Sequence, residues 1–186
     1  MKQGVILCGC NGSGKTTLGR MLAQELGWTF IDIEECFFPN ANPADPYKQP
    51  NTRQEAARLL LNRARSCENF VLAAVKGNYG EEITSLYTLA VWLRADPETR
   101  TGRIQERSLK QFGERALPGG DLYEREQAFL TFAAGRDEQE VAEWLDSLSC
   151  PVIQLDGGKP LKENLDRLLK ILSHPESILK KCAAGE

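Results

Sequence analysis

Short apolar runs and amphipathic segments alternate along most of the chain. A short apolar run bounded by polar residues predicts a buried strand, and apolar residues spaced three and four apart predict a helix that packs on one side. Because the strands alternate with helices, the pattern predicts a parallel sheet that is covered by helices on both faces. The five predicted strands span residues 5–8, 28–33, 70–75, 89–93 and 150–155.

Local signals fix several helix starts between these strands. Thr52 followed by Glu55 predicts a capping box, Asp96 before Pro97 predicts a capped helix start, and Asp121 is a third candidate cap. Residues 37–51 carry four prolines and no periodicity, so they are predicted to form a loop. The predicted helices span residues 17–26, 52–66, 81–86, 98–112, 121–134, 138–148 and 161–172.

A glycine-rich stretch separates the first strand from the first helix and fits the phosphate-binding pattern G-x-x-x-x-G-K-[ST]. Glycines allow the backbone to wrap tightly and to direct its N–H groups at an anion, and the helix that follows adds its positive dipole end. The lysine is suited to the outer phosphates, and the hydroxyl after it is suited to Mg²⁺. The sequence thus predicts ATP and Mg²⁺ as ligands, with cofactor-binding residues Gly9, Asn11, Gly12, Ser13, Gly14, Lys15, Thr16 and Thr17.

Two acidic residues mark the end of the second predicted strand. If the chain stays extended, Asp32 and Glu34 project on the same side, near Thr16 at the carboxyl edge of the sheet. Carboxylates at this edge are suited to holding Mg²⁺ and to taking a proton from an acceptor hydroxyl. The alternative is a solvated acidic turn that leads into a helix.

Polar residues at two other places are candidates for substrate binding. Arg53 falls in the first turn of a helix, where the dipole disfavours a cation, which indicates either an anion-binding role or an ordinary surface arginine. Lys76 and Asn78 follow the third strand, and they either face the acceptor or nucleotide or simply form a turn.

The helix over residues 98–112 is unusually polar and carries Arg100, Arg103 and Arg107 close to one face. It is either a solvated surface helix or the carrier of cations over the phosphates, for which the planar guanidinium is well suited. Glycine-rich residues 113–120 follow, and they have the composition of a moving lid.

Composition limits the classes of protein to consider. A chain of 186 residues with a net charge of −3 indicates one domain, without the basic excess typical of partners such as nucleic acid or an anionic membrane. The sequence contains six cysteines but no C-x-x-C pair and a single histidine, which argues against a zinc site. We expect a reduced, cytoplasmic protein with neither a signal peptide nor a membrane span; Cys10 is either reactive or a filler of the loop.

Several motifs together resemble the adenylate kinase and shikimate kinase group of P-loop kinases. The glycine-rich loop, Phe30-Ile31-Asp32-Ile33-Glu34, Arg103-Ile104-Gln105-Glu106-Arg107 and Leu155-Asp156-Gly157 occur in the order of that group. The resemblance implies a three-layer α/β P-loop fold with strand order 2-3-1-4-5 and a small lid. It also implies that Lys15 binds phosphate, that Thr16 and Asp32 serve Mg²⁺, that Glu34 faces the acceptor, that Arg103 and Arg107 clasp ATP, and that Gly157 and Pro160 lie near the adenine.

From these observations we expect an ATP- and Mg²⁺-dependent kinase for a small-molecule acceptor, acting as a monomer or a weak homodimer. Its catalytic residues are predicted to be Lys15, Asp32, Glu34 and Arg107, and its substrate-binding residues Asp32, Glu34, Arg53, Lys76 and Asn78. A nucleoside monophosphate kinase and a slow ATPase switch acting through a protein partner are the alternatives. The kinase domain is predicted over residues 1–172, with an acceptor-binding insertion at 35–67, a lid at 108–121 and a tail at 173–186.

Overall fold

A computed structural model describes residues 2–40, 47 and 49–174 of the chain. Much of the predicted proline-rich loop (41–46 and 48) and most of the predicted tail (175–186, which includes Cys182) lie outside the described residues. The strands are β1 (Gly4–Cys8), β2 (Thr29–Asp32), β3 (Phe70–Ala73), β4 (Leu89–Arg94) and β5 (Val152–Asp156). The helices are α1 (Lys15–Leu26), α2 (Ile33–Phe37), α3 (Arg53–Ser66), α4 (Glu81–Thr84), α5 (Pro97–Phe112), α6 (Tyr123–Ala134), α7 (Gln139–Asp146) and α8 (Leu161–Ser173).

The five strands form one parallel sheet in the order β2-β3-β1-β4-β5, which confirms the predicted fold. β1 lies at the centre and is fully buried, so its alternating side chains divide the core in two. Ile6 and Cys8 pack with α2, α3 and α7 on one face. Val5 and Leu7 pack with α1 and α8 on the other face. No helix within the described ranges is both long enough and apolar enough to cross a bilayer.

Two of the three predicted helix caps are confirmed. Thr52 and Glu55 form the reciprocal capping box of α3, and the Asp96 side chain accepts a hydrogen bond from the Thr99 amide at the start of α5. The predicted Asp121 cap is wrong, because Leu122 occupies the N-cap position of α6. The Asp121 carboxylate instead binds the Arg115 guanidinium, with oxygen–nitrogen distances of 2.8 and 2.9 Å. This ion pair connects two residues of the glycine-rich segment that follows α5. The segment begins with a turn of 3-10 helix at Gly113–Ala116.

The end of β2 differs from the extended chain that the sequence predicted. The strand stops at Asp32, whose side chain accepts a hydrogen bond of 3.0 Å from the Glu34 amide and thereby caps α2. Glu34 consequently belongs to a helix, and strand alternation does not set its direction. β3 also ends two residues earlier than predicted, so the carboxyl edge of the sheet is formed by short strands and the loops that follow them.

Candidate active site

The glycine-rich loop curves closely around the start of α1. Gly9, Gly12 and Gly14 have positive φ angles of 137°, 82° and 101°. At Gly12 a Cβ atom would also collide with the Arg100 carbonyl oxygen, so this position needs glycine for space as well as for backbone conformation. The first turn of α1 contains no acidic residue, which leaves its positive dipole end available to an anion.

Lys15 is folded back onto this loop. Its ammonium Nζ donates to the Cys10 carbonyl oxygen at 2.8 Å and lies 3.5 Å from the Ser13 hydroxyl. Burial lowers the pKa of Lys15 from 10.5 to about 8, against the opposing effect of nearby acidic groups that include Glu34 and Asp32. The loop therefore holds a cation that is poorly compensated until an anion arrives.

Thr16 and Asp32 bring a hydroxyl and a carboxylate together. Thr16 Oγ1 donates to Asp32 Oδ2 at 3.1 Å, and Asp32 is almost fully buried. These oxygen donors fit Mg²⁺, which is commonly bound by one or two carboxylates together with phosphate oxygens and water. In the part of the chain that is described, no group of three or more His, Cys, Asp or Glu residues could hold a metal, so phosphates and water would have to complete the shell.

Glu34 reaches the same cavity from the first turn of α2. Partial loss of hydration within the cavity is the main cause that raises its pKa above the ordinary value, and the neighbouring Asp32 carboxylate adds to the effect. Arg107 and Lys15 act in the opposite direction. A carboxylate with a raised pKa is a better proton acceptor than an ordinary glutamate.

A cavity of about 370 Å³ connects these groups at the carboxyl edge of the sheet. The loop residues Asn11, Gly12, Gly14, Lys15, Thr16 and Thr17 line it, together with Asp32, Glu34, Arg103 and Arg107. The buried Oδ1 atom of Asn11 has no hydrogen-bond partner among the described residues. The structure thus brings together most of the cofactor-binding and all of the catalytic residues predicted from the sequence.

The three arginines of α5 have different environments. Arg103 Nη1 donates to the carbonyl oxygens of Gly157 and Ser13, at 2.9 and 3.4 Å, and so joins the glycine-rich loop to the loop after β5. Arg107 lies one turn further along and faces the cavity. Arg100 is buried and donates to the Ala133 carbonyl oxygen at 3.1 Å, which makes it a contact between α5 and α6.

The remaining predicted nucleotide contacts are not among the described residues that line the cavity. Gly157 packs closely against the glycine-rich loop, since a Cβ atom there would lie 2.7 Å from the Ser13 carbonyl oxygen. Pro160 is the N-cap residue of α8. Gly9 and Ser13 belong to the glycine-rich loop itself, and both are buried.

Arg53, Lys76 and Asn78 are engaged with the protein itself. Arg53 Nη2 donates to the backbone and side-chain oxygens of Asn78 at 2.6 and 3.1 Å, and its guanidinium lies over the Tyr79 ring at 4.9 Å. Lys76 forms an ion pair of 2.7 Å with Glu140. None of the three predicted substrate contacts is among the described residues that line the cavity.

Cys10 lies inside the loop and is 1% exposed. Burial raises the pKa of its thiol above the ordinary value, so little reactive thiolate forms at neutral pH. This environment favours the interpretation of Cys10 as a filler of the loop.

A second cavity of about 290 Å³ adjoins the first one, and the sequence did not predict it. It lies between α5, α6 and the segment after α2. Glu34, Ile104 and Arg107 line both cavities and so connect them. The residues missed by sequence reasoning include Arg125, Glu126 and Phe129 of α6, whose only signal in the sequence is the amphipathic pattern of a helix.

Comparisons with known proteins agree with this architecture. The family described as AAA domain matches residues 5–116. Protein YqaC of Bacillus subtilis (strain 168) is 28% identical over 181 residues, which cover 93% of this chain and 99% of that protein. The shikimate kinase of Moorella thermoacetica is 28% identical over 80% of this chain and its own full length. The crystal structure of a sugar kinase from Janibacter sp. HTCC2649 superposes with a TM-score of 0.57 at 21% identity, over 93% of this chain and 95% of that one.

Proposed function

Since the chain belongs to the AAA domain family and is an ATP-dependent P-loop kinase of the shikimate and adenylate kinase type, we propose that it phosphorylates a hydroxyl group of a small molecule. The phosphoryl donor is ATP, bound in the cavity at the glycine-rich loop, and the acceptor enters from the second cavity. The observation that carries this proposal is that Glu34 and Arg107 line both cavities, where donor and acceptor would meet.

The glycine-rich loop and Lys15 would bind the β- and γ-phosphates, with further polar contacts from Asn11, Ser13 and Thr17. On binding, the Lys15 ammonium would exchange the Cys10 carbonyl oxygen for phosphate oxygens. Arg103, Gly157 and Pro160 would hold the adenosine side, because Arg103 already bridges the loop after β5 and the glycine-rich loop.

Thr16 and Asp32 would hold Mg²⁺, which neutralises phosphate charge when bound. In the proposed transfer, the acceptor oxygen forms a bond to the γ-phosphorus while the bond to the β,γ-bridging oxygen breaks, and ADP leaves. Glu34 takes the proton of the acceptor hydroxyl, a role that its raised pKa favours. Arg107 and Lys15 stabilise the charge on the transferring group from two sides.

Arg53, Lys76 and Asn78 stay predicted acceptor contacts. A direct role would require Arg53 to leave the Asn78 oxygens and Lys76 to leave Glu140. If these contacts persist when the acceptor binds, the Arg53–Asn78 contact connects the loop after β3 to the start of α3. Both residues would then stabilise the site without contacting the acceptor.

ADP release from Mg-ATP, measured with and without a small-molecule extract of cells, tests the proposal. We expect a marked acceleration by the extract, and the compound that is consumed can then be identified by its mass. Lys15→Met should abolish the accelerated rate. A slow rate that no extract changes would contradict the kinase proposal and would favour an ATPase switch with a protein partner.

Glu34→Gln tests the assigned base separately from nucleotide binding. It should lower kcat for acceptor phosphorylation by a factor of about 100 to 10,000, the usual effect of losing a general base, while the Kd of Mg-ATP changes little. The wild-type kcat should also fall towards acid pH at a higher pH than an ordinary glutamate would give, since the pKa of Glu34 is raised. Equal losses of turnover and ATP binding would contradict this role for Glu34.

A further inference from the structure

A further cavity of about 640 Å³ lies between the start of α5, the connection from α6 to α7, and the ends of β4 and β5. Arg94, Arg100 and Arg136 line it, and we call it the arginine cavity. No described residue lines both this cavity and the one at the glycine-rich loop, the phosphate cavity. A ligand of the arginine cavity would therefore bind apart from the reacting groups of the proposed kinase.

Arg100 is a buried cation that forms no ion pair with the described residues. It is 2% exposed, and its Nη1 atom donates to the Ala133 carbonyl oxygen at 3.1 Å, in the last turn of α6. The dipole of α6 favours a cation there, but a guanidinium has five N–H donors, and the buried Nε atom of Arg100 has no acceptor in the part of the chain that is described. Because buried charges in proteins are normally paired, this guanidinium is available to an anion.

Arg136 has the same deficit. It follows the end of α6, its guanidinium carbon lies over the Phe132 ring at 4.8 Å, and within the described ranges it forms no ion pair. Four buried side-chain polar atoms of the described residues lack a partner, and two of them are the Nε atoms of Arg100 and Arg136. Burial raises the pKa of the Cys10 thiol, whereas the charges of both arginines act to lower it, which indicates that the two guanidiniums lie near one side chain.

The carboxylates of the arginine cavity are either paired with a cation or exposed to solvent. They belong to Asp96, Asp137, Glu138 and Asp156. Glu138 pairs with Arg94, whose Nη2 and Nε atoms lie 2.7 and 2.9 Å from Glu138 Oε2. The three aspartates are exposed, and each accepts a backbone hydrogen bond of 2.8 Å, so solvent screens their charges. The buried charge of Arg100 is screened much less, and its surroundings therefore favour an anion.

Both segments that carry these arginines pack against the glycine-rich loop. The Arg100 carbonyl oxygen occupies the space where a side chain at Gly12 would lie, and the Arg136 carbonyl oxygen is 4.0 Å from Cys10 Sγ. An anion that contacts both guanidiniums would therefore connect two segments that support the loop.

We propose that the arginine cavity binds a compact oxyanion, a phosphate ion or the phosphate group of a small monoester, through Arg100 and Arg136. A guanidinium presents a planar fork of donors that matches the oxygens of phosphate, and hydrogen bonds between charged groups are stronger than those between neutral ones. The volume of about 640 Å³ corresponds to roughly twenty water molecules at about 30 Å³ each, so the cavity has room for an organic group besides the phosphate. The site differs from the proposed ATP site in its residues, and binding there needs no phosphoryl transfer.

Titration of the isotope-labelled full chain with inorganic phosphate, followed by NMR, tests the site. Mg²⁺ and a saturating non-hydrolysable ATP analogue keep the glycine-rich loop occupied, and sodium chloride keeps the ionic strength constant. The readout is the pair of Nε–H signals from Arg100 and Arg136, because both atoms are buried and have no acceptor among the described residues. Both signals should shift with one common, saturable Kd. Phenyl phosphate should give a similar Kd if the natural ligand is a monoester, whereas binding of inorganic phosphate alone supports a site for the free ion.

Arg136→Gln removes one guanidinium and leaves Arg100 as the reporter. The Kd of phosphate should rise at least about tenfold, the effect of losing a charge-assisted hydrogen bond. Arg58→Gln is the matched control, since it makes the same charge change at an exposed position of α3 outside the cavity, and it should leave the Kd unchanged. Glu138→Gln makes the opposite change: it removes a carboxylate and frees Arg94, so phosphate should bind at least about threefold more tightly.

Phosphate that shifts neither Nε–H signal, or that shifts them only when the ATP analogue is left out, overturns the proposed site. An equal loss of affinity in Arg136→Gln and Arg58→Gln also overturns it, because that result would indicate a general effect of charge. Thermal unfolding checks that each variant is folded. If Arg136→Gln does not fold, Glu138→Gln decides, and phosphate binding that this variant fails to tighten overturns the site.

Discussion

Replacing Lys15 by methionine should stabilise the ligand-free protein while it abolishes phosphoryl transfer. The folded chain holds this ammonium in a buried position where its pKa falls from 10.5 to about 8. At about 1.36 kcal/mol for each factor of ten, this difference corresponds to a destabilisation of about 3 kcal/mol when the group is charged. Methionine fills a similar volume without the charge, but the hydrogen bond to the Cys10 carbonyl oxygen is lost, which offsets about 1 to 2 kcal/mol. The net gain should be about 1 to 2 kcal/mol near neutral pH.

The pH dependence of this gain gives the sharper test. Below about pH 8 the folded and unfolded states both carry the Lys15 proton, so the full destabilisation is present. Between about pH 8 and 10.5 the unfolded state binds a proton that the folded state has released, so the free energy of unfolding gains a contribution that rises with pH. The advantage of the methionine variant should therefore shrink across this window, while other groups that titrate affect both proteins equally.

Urea unfolding of both proteins at about pH 7 and about pH 9.5 measures the two differences. Nucleotide binding supplies an independent measurement, because phosphates compensate the Lys15 charge and restore its proton. At about pH 9, Lys15 should take up most of one proton from solution when ATP binds. Calorimetry in buffers of different ionisation enthalpy detects this uptake. A methionine variant that is less stable than the wild type near neutral pH, or a difference that does not shrink towards alkaline pH, would refute the reasoning.

Two further substitutions test the backbone of the site and its support. Gly12→Ala should destabilise the protein by about 1 to 3 kcal/mol in urea unfolding and weaken ATP binding, because the residue has φ 82° and its new Cβ would strike the Arg100 carbonyl oxygen. A variant with wild-type stability and full ATP affinity would contradict this account. Thr52→Ala should remove the side-chain half of the capping box and lower stability by about 1 kcal/mol, with the Kd of ATP unchanged; a large loss of ATP binding would show that α3 positions the phosphate site.

The parts of the site that depend on local spacing could be predicted from the sequence. The glycine pattern, Lys15 and Thr16 lie within one continuous stretch, and the order of strand, loop and helix determines their geometry. Asp32 was found because parallel strands end at one edge of the sheet. Its second role was missed: the Asp32 carboxylate also caps α2, and this turns Glu34 onto a helix instead of leaving it on an extended strand.

The second cavity could not be predicted, because it exists only when α6 packs beside α5. Arg125 and Glu126 are adjacent in the sequence and read as an ordinary polar helix surface. Their significance comes from contacts with Phe112 and Ser108, which belong to a different helix. Likewise, Arg100 has the same spacing as the arginines that face the phosphate cavity, but the packing of α5 on α6 directs it to the Ala133 carbonyl oxygen.

Three features of the phosphate cavity lower the stability of the protein while no ligand is bound. Gly12 holds a backbone conformation that other residues adopt with strain, Lys15 is a buried cation, and Glu34 is a carboxylate that lies close to the Asp32 carboxylate. Anionic phosphates relieve the second of these, and a cation bound at Thr16 and Asp32 relieves the third, so the bound state recovers free energy that the empty fold lacks. Several unfavourable local features at one place are typical of a functional site.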